Sequence, residues 1–425
     1  MRLKEPSVHK IIKWLLLFAI FAAPMGAQAF CISTPIGELS LYRIALLVSF
    51  LLWILNNEGK INISFPKKVK KSNRFMFILF IYALFTVVWA LSTSAWTRNV
   101  FFIAMALIAT YLMSKNMISK GDIIEAIKAF SWGVFIQALI GWYEIFTGNY
   151  LFRDLSSKLM YKFTLASLNT PIAMQHNPNN FALIMFFGIF SSLICFLETR
   201  KKTRVVYLVF IAFEIFATFI TESRSGIIAI VIAFAFLLVM SKKHKFLLLL
   251  LPFALVTIFP NINSYIQAAF SVNVSATYGS DYVRINLIKN GLNFLLDTFG
   301  FGVGAGQIDS WMASRAVYNV GSVTAIHNFW LEMLSTYGIL VFTLFMAMYF
   351  RIFVTNIKAY RANSNDHLSL VLCAIMVGFI IGAVGPSSTV SLEWLWCFLA
   401  ICIAGMNYMD NDYFYMIDLD SEGNK

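Results

Sequence analysis

Charge is scarce in this 425-residue chain: Asp, Glu, Lys and Arg make up 13% of it, against 59% hydrophobic residues. Soluble domains carry about a quarter charged residues, so the shortage excludes a soluble organisation and points to a polytopic membrane protein. Paired cysteines are lacking too. Cys31, Cys195, Cys373, Cys397 and Cys402 lie in or beside apolar runs without paired spacing, which excludes a disulfide framework and a zinc site. No internal repeat, low-complexity segment or soluble domain is visible. His-Glu-x-x-His, a serine nucleophile elbow and an Asp-x-Asp pair on the outer face are all missing. An enzyme built from this chain is therefore expected to work without metal or other cofactor, with arginines doing any phosphate work.

What is present is a series of apolar runs separated by short basic clusters. The net charge of +12 does not imply a nucleic-acid partner, because the cations fall where cytoplasmic loops would be. Spans are expected at about 14–30, 39–55, 75–91, 98–113, 124–146, 181–197, 205–220, 226–240, 246–260, 327–353, 368–384 and 392–406. This predicts an all-α polytopic integral membrane protein of about twelve transmembrane helices, both termini cytoplasmic. Residues 1–260 form spans one to nine, 261–326 a long extracytoplasmic loop, 327–407 the last three spans and 408–425 a cytoplasmic tail. Ala27-Gln-Ala29 has the small residues of a signal-peptidase site; cleaved or retained, the first span leads outward. Clusters such as Arg200-Lys-Lys-Thr-Arg204 and Lys242-Lys-His-Lys245 fall inside.

Nine of the 33 Lys and Arg residues then lie outside: Arg43, Arg98, Arg153, Lys158, Lys162, Arg224, Arg284, Lys289 and Arg315. Orientation does not require them, so each has another reason to be there. Arg224 sits in the short turn Thr221-Glu-Ser-Arg-Ser-Gly226. There its planar fork suits a phosphate; snorkelling to headgroups or pairing with Glu222 is the plainer reading. Between Val283 and Phe299 apolar residues recur at helical spacing, which predicts an amphipathic helix on the outer membrane face. The cluster Gly300-Phe-Gly-Val-Gly-Ala-Gly306 lacks the Gly-Lys-Ser/Thr ending of a nucleotide loop and reads as a turn that lets backbone pack closely. His327 begins a hydrophobic span, with Leu331, Leu334 and Gly338 following on its helical face. Its titration range suits taking a proton from a hydroxyl; a helix-starting histidine bonded to a carbonyl is the plainer alternative. Glu332 falls on a different face, and the run around His176 reads as a turn and helix cap.

These motifs, in this order, resemble the O-antigen ligase and polymerase superfamily of bacterial envelope glycosyltransferases. The resemblance rests on Thr221-Glu-Ser-Arg-Ser-Gly-Ile-Ile, on Asp281-Tyr-Val-Arg284 followed by a helix and Gly300–Gly306, and on His327-Asn-Phe-Trp-Leu through Gly338. Asn177-Pro-Asn-Asn-Phe-Ala182 and Gly141-Trp-Tyr-Glu-Ile-Phe-Thr-Gly148 are similar to polymerase-like members. The match covers roughly residues 140 to 400. It implies a GT-C-like fold and an inverting transfer on the outer face of the bacterial inner (plasma) membrane, from an undecaprenyl-diphosphate-linked glycan to a sugar hydroxyl. By analogy Arg224 and Arg284 hold the donor diphosphate and His327 deprotonates or orients the acceptor. Arg315, Arg98 and Arg43 are further substrate-binding candidates.

The acceptor decides the activity within that family. A lipid-linked glycan makes the protein a polymerase of O-antigen, capsule or similar polysaccharide, the reading the 141–182 motifs favour. Lipid A-core makes it a ligase of lipopolysaccharide assembly. Membrane lipids are partners in either case, and a chain-length regulator is one the resemblance leaves room for. A transporter or flippase for an envelope lipid is the reading from another class. Repeats and mid-membrane charges would mark it, whereas here the ionisable residues gather on the outer face.

Overall fold

The computed structural model describes residues 5–28, 30–34, 37–59, 64–152, 168–175, 177–199, 201–240 and 280–409. The span expected at 246–260, the loop residues 261–279, the tail, and Arg153, Lys158, Lys162 and His176 lie outside the described residues. The rest is a helical bundle: α1 (Glu5–Ala22), α2 (Leu41–Asn56), α3 (Lys67–Phe85), α4 (Thr93–Asn116), α5 (Lys120–Thr147), α6 (Pro178–Glu198), α7 (Lys201–Ile220), α8 (Arg224–Met240), α9 (Ser280–Asp297), α10 (Ile308–Arg315), α11 (Phe329–Ala362), α12 (His367–Gly382) and α13 (Glu393–Gly405). Seven segments are long and apolar enough to cross a membrane, and α2, α8, α12 and α13 are shorter apolar helices. The other expected spans each overlap one of these helices, the first displaced, since α1 is Glu5–Ala22 where 14–30 was expected.

Three local features depart from the sequence reading. A short antiparallel hairpin, Cys31–Thr34 with Gly37–Ser40, precedes α2; a polar stretch this short carries no alternation to reveal it. The basic run from Lys67 to Arg74, expected in a loop, forms the first turns of α3, because lysine and arginine are good helix formers and Val69, Phe75 and Met76 give that segment a buried face. Glu214, in α7, is fully buried against Ser192, so one acid lies within the bundle and away from the expected outer face.

Five of the helices start where small polar residues take up orphan N–H groups. Ser40 caps α2, Ser92 caps α4, Ser119 and Asp122 form a capping box on α5, Asn177 with Pro178 starts α6, and Asn328 caps α11. Small residues bring helices close, as membrane packing requires. A Cβ on Gly226 would lie 2.8 Å from the Ala182 Cβ. Four of the cysteines are buried and all five are free.

The bundle has two distinct ends. At one, ion pairs tie helices together: Lys13 of α1 to Asp122 of α5, and Lys120, at the start of α5, to Glu198 at the end of α6 and to Asp366 before α12, the last two at 3.1 Å. At the other, the turn before α4 bonds the segment 302–307, and the starts of α6, α8 and α11 meet one another and the turn before α13. A second apolar core forms there from Leu287, Phe294, Trp311, Met312, Ile326 and Leu331. It covers one face of α9 and leaves Ile285, Ile288, Leu292 and Leu296 exposed on another. The segment is helical where the spacing predicted a helix, but apolar residues occupy two of its faces, with Leu287 and Phe294 the buried anchors.

The glycine cluster explains how α11 is broken. Gly338 has φ 76° and ψ 176° inside that helix, which frees backbone groups on either side. The cluster takes them up: Val303 N–H donates to the Ser335 carbonyl (2.8 Å), Gly304 N–H to Thr336 (2.9 Å), and Ile339 N–H to Gly300 (2.9 Å). A Cβ at Gly302 would lie 2.6 Å from the Gly338 nitrogen, so only glycine allows the approach. The cluster is a close backbone pairing.

Candidate active site

Four turns converge at the end of the bundle that carries the glycine cluster. Asn177, besides capping α6, donates to Ser387 Oγ (2.6 Å). Asn180 grips the same residue twice, donating to its carbonyl (3.0 Å) and accepting from its N–H (2.8 Å). Ser223, in the turn before α8, donates to Asn179 Oδ1 (2.8 Å). The turn 383–391 is thereby tied to the starts of α6 and α8. It also pairs with the start of α11: Phe329 N–H donates to the Ala383 carbonyl (3.0 Å) and Gly385 N–H to the His327 carbonyl (3.1 Å).

His327 sits at this junction. Its Nδ1 lies 2.9 Å from the Gly385 carbonyl oxygen. A carbonyl only accepts, so Nδ1 carries the proton and Nε2 of the neutral ring is the basic nitrogen. The histidine precedes the N-cap Asn328 and is not part of α11, so helical spacing with Leu331 and Gly338 does not set its direction; the Gly385 bond does. Burial pushes the imidazole pKa down and the Arg284 charge acts in the same direction, against the Gly385 bond. Arg284, on α9, is near enough for its charge to act on the His327 ring, though less than burial does.

Arg224 approaches through its neighbour. A Cβ on Gly385, whose φ is +138°, would lie 2.6 Å from Ser225 Oγ, so Ser225 and His327 both touch Gly385. Arg224 itself is exposed at the first position of α8. Three of the turns carry non-glycine residues at positive φ, Ala173 (46°), Glu222 (52°) and Ser388 (49°), a conformation held only where the surroundings enforce it. Glu332, on α11, accepts from Thr389 N–H (2.9 Å) and Val390 N–H (3.4 Å). It does not bond His327, but it buttresses the turn that does.

The other three arginines stand elsewhere. Arg43 is ion-paired through Nε with the buried carboxylate of Glu393 and donates to the Glu38 carbonyl. Arg98 is exposed. Both line a polar cleft of about 640 Å³ with Glu38, Thr93, Thr97 and Phe101. Glu393 lies just past the 383–391 turn, so one segment serves both the histidine and the cleft. Arg315 is exposed at the end of α10, its guanidinium 4.2 Å from the centre of the Trp311 ring.

Sequence reasoning missed the turn 383–391 altogether. It holds no charge and no recognisable motif, and its only signal is a polar Gly-Pro-Ser-Ser-Thr run between apolar spans.

These features are those of an all-α, multi-pass membrane protein whose polar turns gather around a histidine at one end of the bundle. Residues 206–346 match the family model described as O-antigen ligase, a stretch that contains Arg224, Arg284 and His327. Over 403 residues the chain is 26% identical to the teichuronic acid biosynthesis protein TuaE of Bacillus subtilis (strain 168), covering 89% of this chain and 81% of that protein. Together these findings support the O-antigen ligase/polymerase-like family that the sequence motifs resemble.

Proposed function

We propose that the protein is a surface-polysaccharide glycosyltransferase that joins undecaprenyl-diphosphate-linked repeat units. The observation that carries this reading is the fixed tautomer of His327 at the junction of the turns before α6, α8 and α11, within reach of the Arg284 charge. Arg224 and Arg284 neutralise the donor diphosphate, where a planar fork meets phosphate oxygens in pairs. His327 Nε2 takes the acceptor hydroxyl proton. The hydroxyl oxygen attacks the anomeric carbon with inversion, the carbon–oxygen bond to the diphosphate breaks, and undecaprenyl diphosphate leaves with its charge held by the arginines. The depressed basicity of His327 keeps the ring neutral before the reaction and releases the proton to solvent afterwards.

The cleft beside α2 and α4 is the place for the acceptor glycan. Phe101 offers a ring face to a sugar, the threonines offer hydroxyl partners, and Arg98 offers a charged donor. Arg43 shapes the cleft while held by Glu393, and Arg315 stands where it meets glycan passing over α10. The description of the matching family model favours a second reading, ligation of finished glycan to another acceptor.

The site end faces outward in this proposal, with about twelve spans in the bacterial plasma membrane, both termini cytoplasmic and the segment 261–326 outside. The distribution of Lys and Arg supports that orientation. A reporter fused after Arg200 is expected to be cytoplasmic and one within 261–326 external; the reverse removes the proposal. The envelope glycan of a deletion strain tests the activity. Glycan stopped at a single repeat supports polymerase, and long glycan retained on undecaprenyl diphosphate supports ligase.

A further inference from the structure

The end of the bundle opposite the histidine carries a groove of a different kind. It measures about 410 Å³ and opens between α2, α3 and α4. Lys70, Arg74 and Phe77 of α3 all line it. At spacings of four and three they share one helix face, so that face passes from two exposed cations to a ring that is 56% exposed. Leu107 and Ile108 of α4 continue the apolar wall. Tyr111 supports it edge-on, its ring 5.0 Å from Trp53 and 5.4 Å from Phe65. Lys115 lies over Phe65 at 4.7 Å and adds a third cation at the polar end. No Asp or Glu is among the lining residues.

We propose that this groove binds an anionic phospholipid, its phosphodiester between Lys70 and Arg74 and one acyl chain along Phe77, Leu107 and Ile108. The order of groups carries the assignment. Along α3 the cations come first and the apolar wall follows within one turn, about 4.5 Å further along the axis, which is how a headgroup and its chain are arranged at a membrane boundary. Basic pockets between helices attract anionic headgroups, while a zwitterionic lipid brings a compensating cation against Lys70 and Arg74. A free phosphate leaves the apolar wall unused. This inference goes beyond the transferase reading and does not depend on it.

Native mass spectrometry of the full-length protein tests the proposal, with phosphatidylglycerol or phosphatidylcholine of matched chains added to detergent micelles. Wild type is expected to retain phosphatidylglycerol selectively. Lys70→Gln with Arg74→Gln is expected to weaken that binding about thirtyfold, from the attraction of two surface cations. Both side chains are exposed, and an unchanged melting temperature in phosphatidylcholine checks the fold. Ile108→Trp, which fills the wall and keeps the cations, is expected to reduce binding as well. Lys202→Gln, a substitution of an exposed cation outside the groove, leaves it intact. Equal retention of the two lipids, wild-type binding by the double variant, or full competition by glycerol phosphate without chains overturns the proposal.

Discussion

The junction at His327 and the cleft at Arg43 and Arg98 are built from similar residues to opposite ends. At the junction nearly every polar group is used. Asn177 and Asn180 bond Ser387, Ser223 bonds Asn179, Glu332 holds the backbone of 389–390, and Gly385 holds one nitrogen of the histidine. What remains is a single basic nitrogen in a fixed direction. The cleft is open volume with hydroxyls, a ring and two arginines, one of them committed to Glu393. A chemical step needs the first arrangement, because a base must be held within hydrogen-bond reach of its proton. Accommodating a glycan needs the second. Substitutions in the two regions should therefore separate turnover from binding.

The largest effect is expected at the junction. His327→Ala should lower kcat about 10²–10⁴-fold, the usual contribution of a positioned base, while acceptor KM changes little. Arg284→Lys should lower kcat/KM about 100-fold, because a point charge does not replace a fork aimed at phosphate. Wild-type turnover by that variant would mean that Arg284 only anchors α9. Gly385→Ala tests the positioning itself. The new Cβ meets Ser225 Oγ at a backbone angle of +138°, so a stability loss of about 1–3 kcal/mol is expected, together with a fall in kcat as the carbonyl leaves Nδ1. Thermal unfolding and single-turnover rates read the two parts separately.

In the cleft the effects should be smaller and fall on binding. Arg98→Ala should raise acceptor KM about tenfold, the scale of one charge-assisted hydrogen bond, with kcat unchanged. A loss of kcat at Arg98 and none at His327 would invert the comparison. The smallest effect is in the pH profile. Only the neutral imidazole accepts a proton, and burial with Arg284 nearby holds its pKa below the usual range. Activity should be level through neutral pH and fall below the ordinary imidazole range. In Arg284→Gln the residual activity should show that fall at higher pH, because the opposing charge is gone. An unmoved limb would place Arg284 too far away to act on the ring.

Much of the bundle was legible in the sequence because apolar runs and N-cap residues report helices locally. The histidine, the two arginines and the glycine cluster were legible as elements for a related reason: a charge or a run of glycines outside the apolar runs needs a cause. What joins them was not. The turn 383–391 is uncharged, and its bonds reach residues 58 and 207 positions away. The break in α11 at Gly338 likewise has its partner at 300–304, and a helical pattern read along the chain runs straight through it. Glu332 was set aside because it falls on a different helix face from His327, yet it holds the turn that carries the histidine's partner.

In the proposed reaction His327 Nε2 and the arginines carry out transfer from a lipid diphosphate. The most direct measurement is elongation of purified undecaprenyl-diphosphate-linked repeat by the purified full-length protein in chelator, comparing wild type with His327→Ala. The account predicts longer lipid-linked glycan and released undecaprenyl diphosphate from wild type, and neither from His327→Ala. A requirement for a nucleotide sugar, or full turnover by His327→Ala, would contradict it.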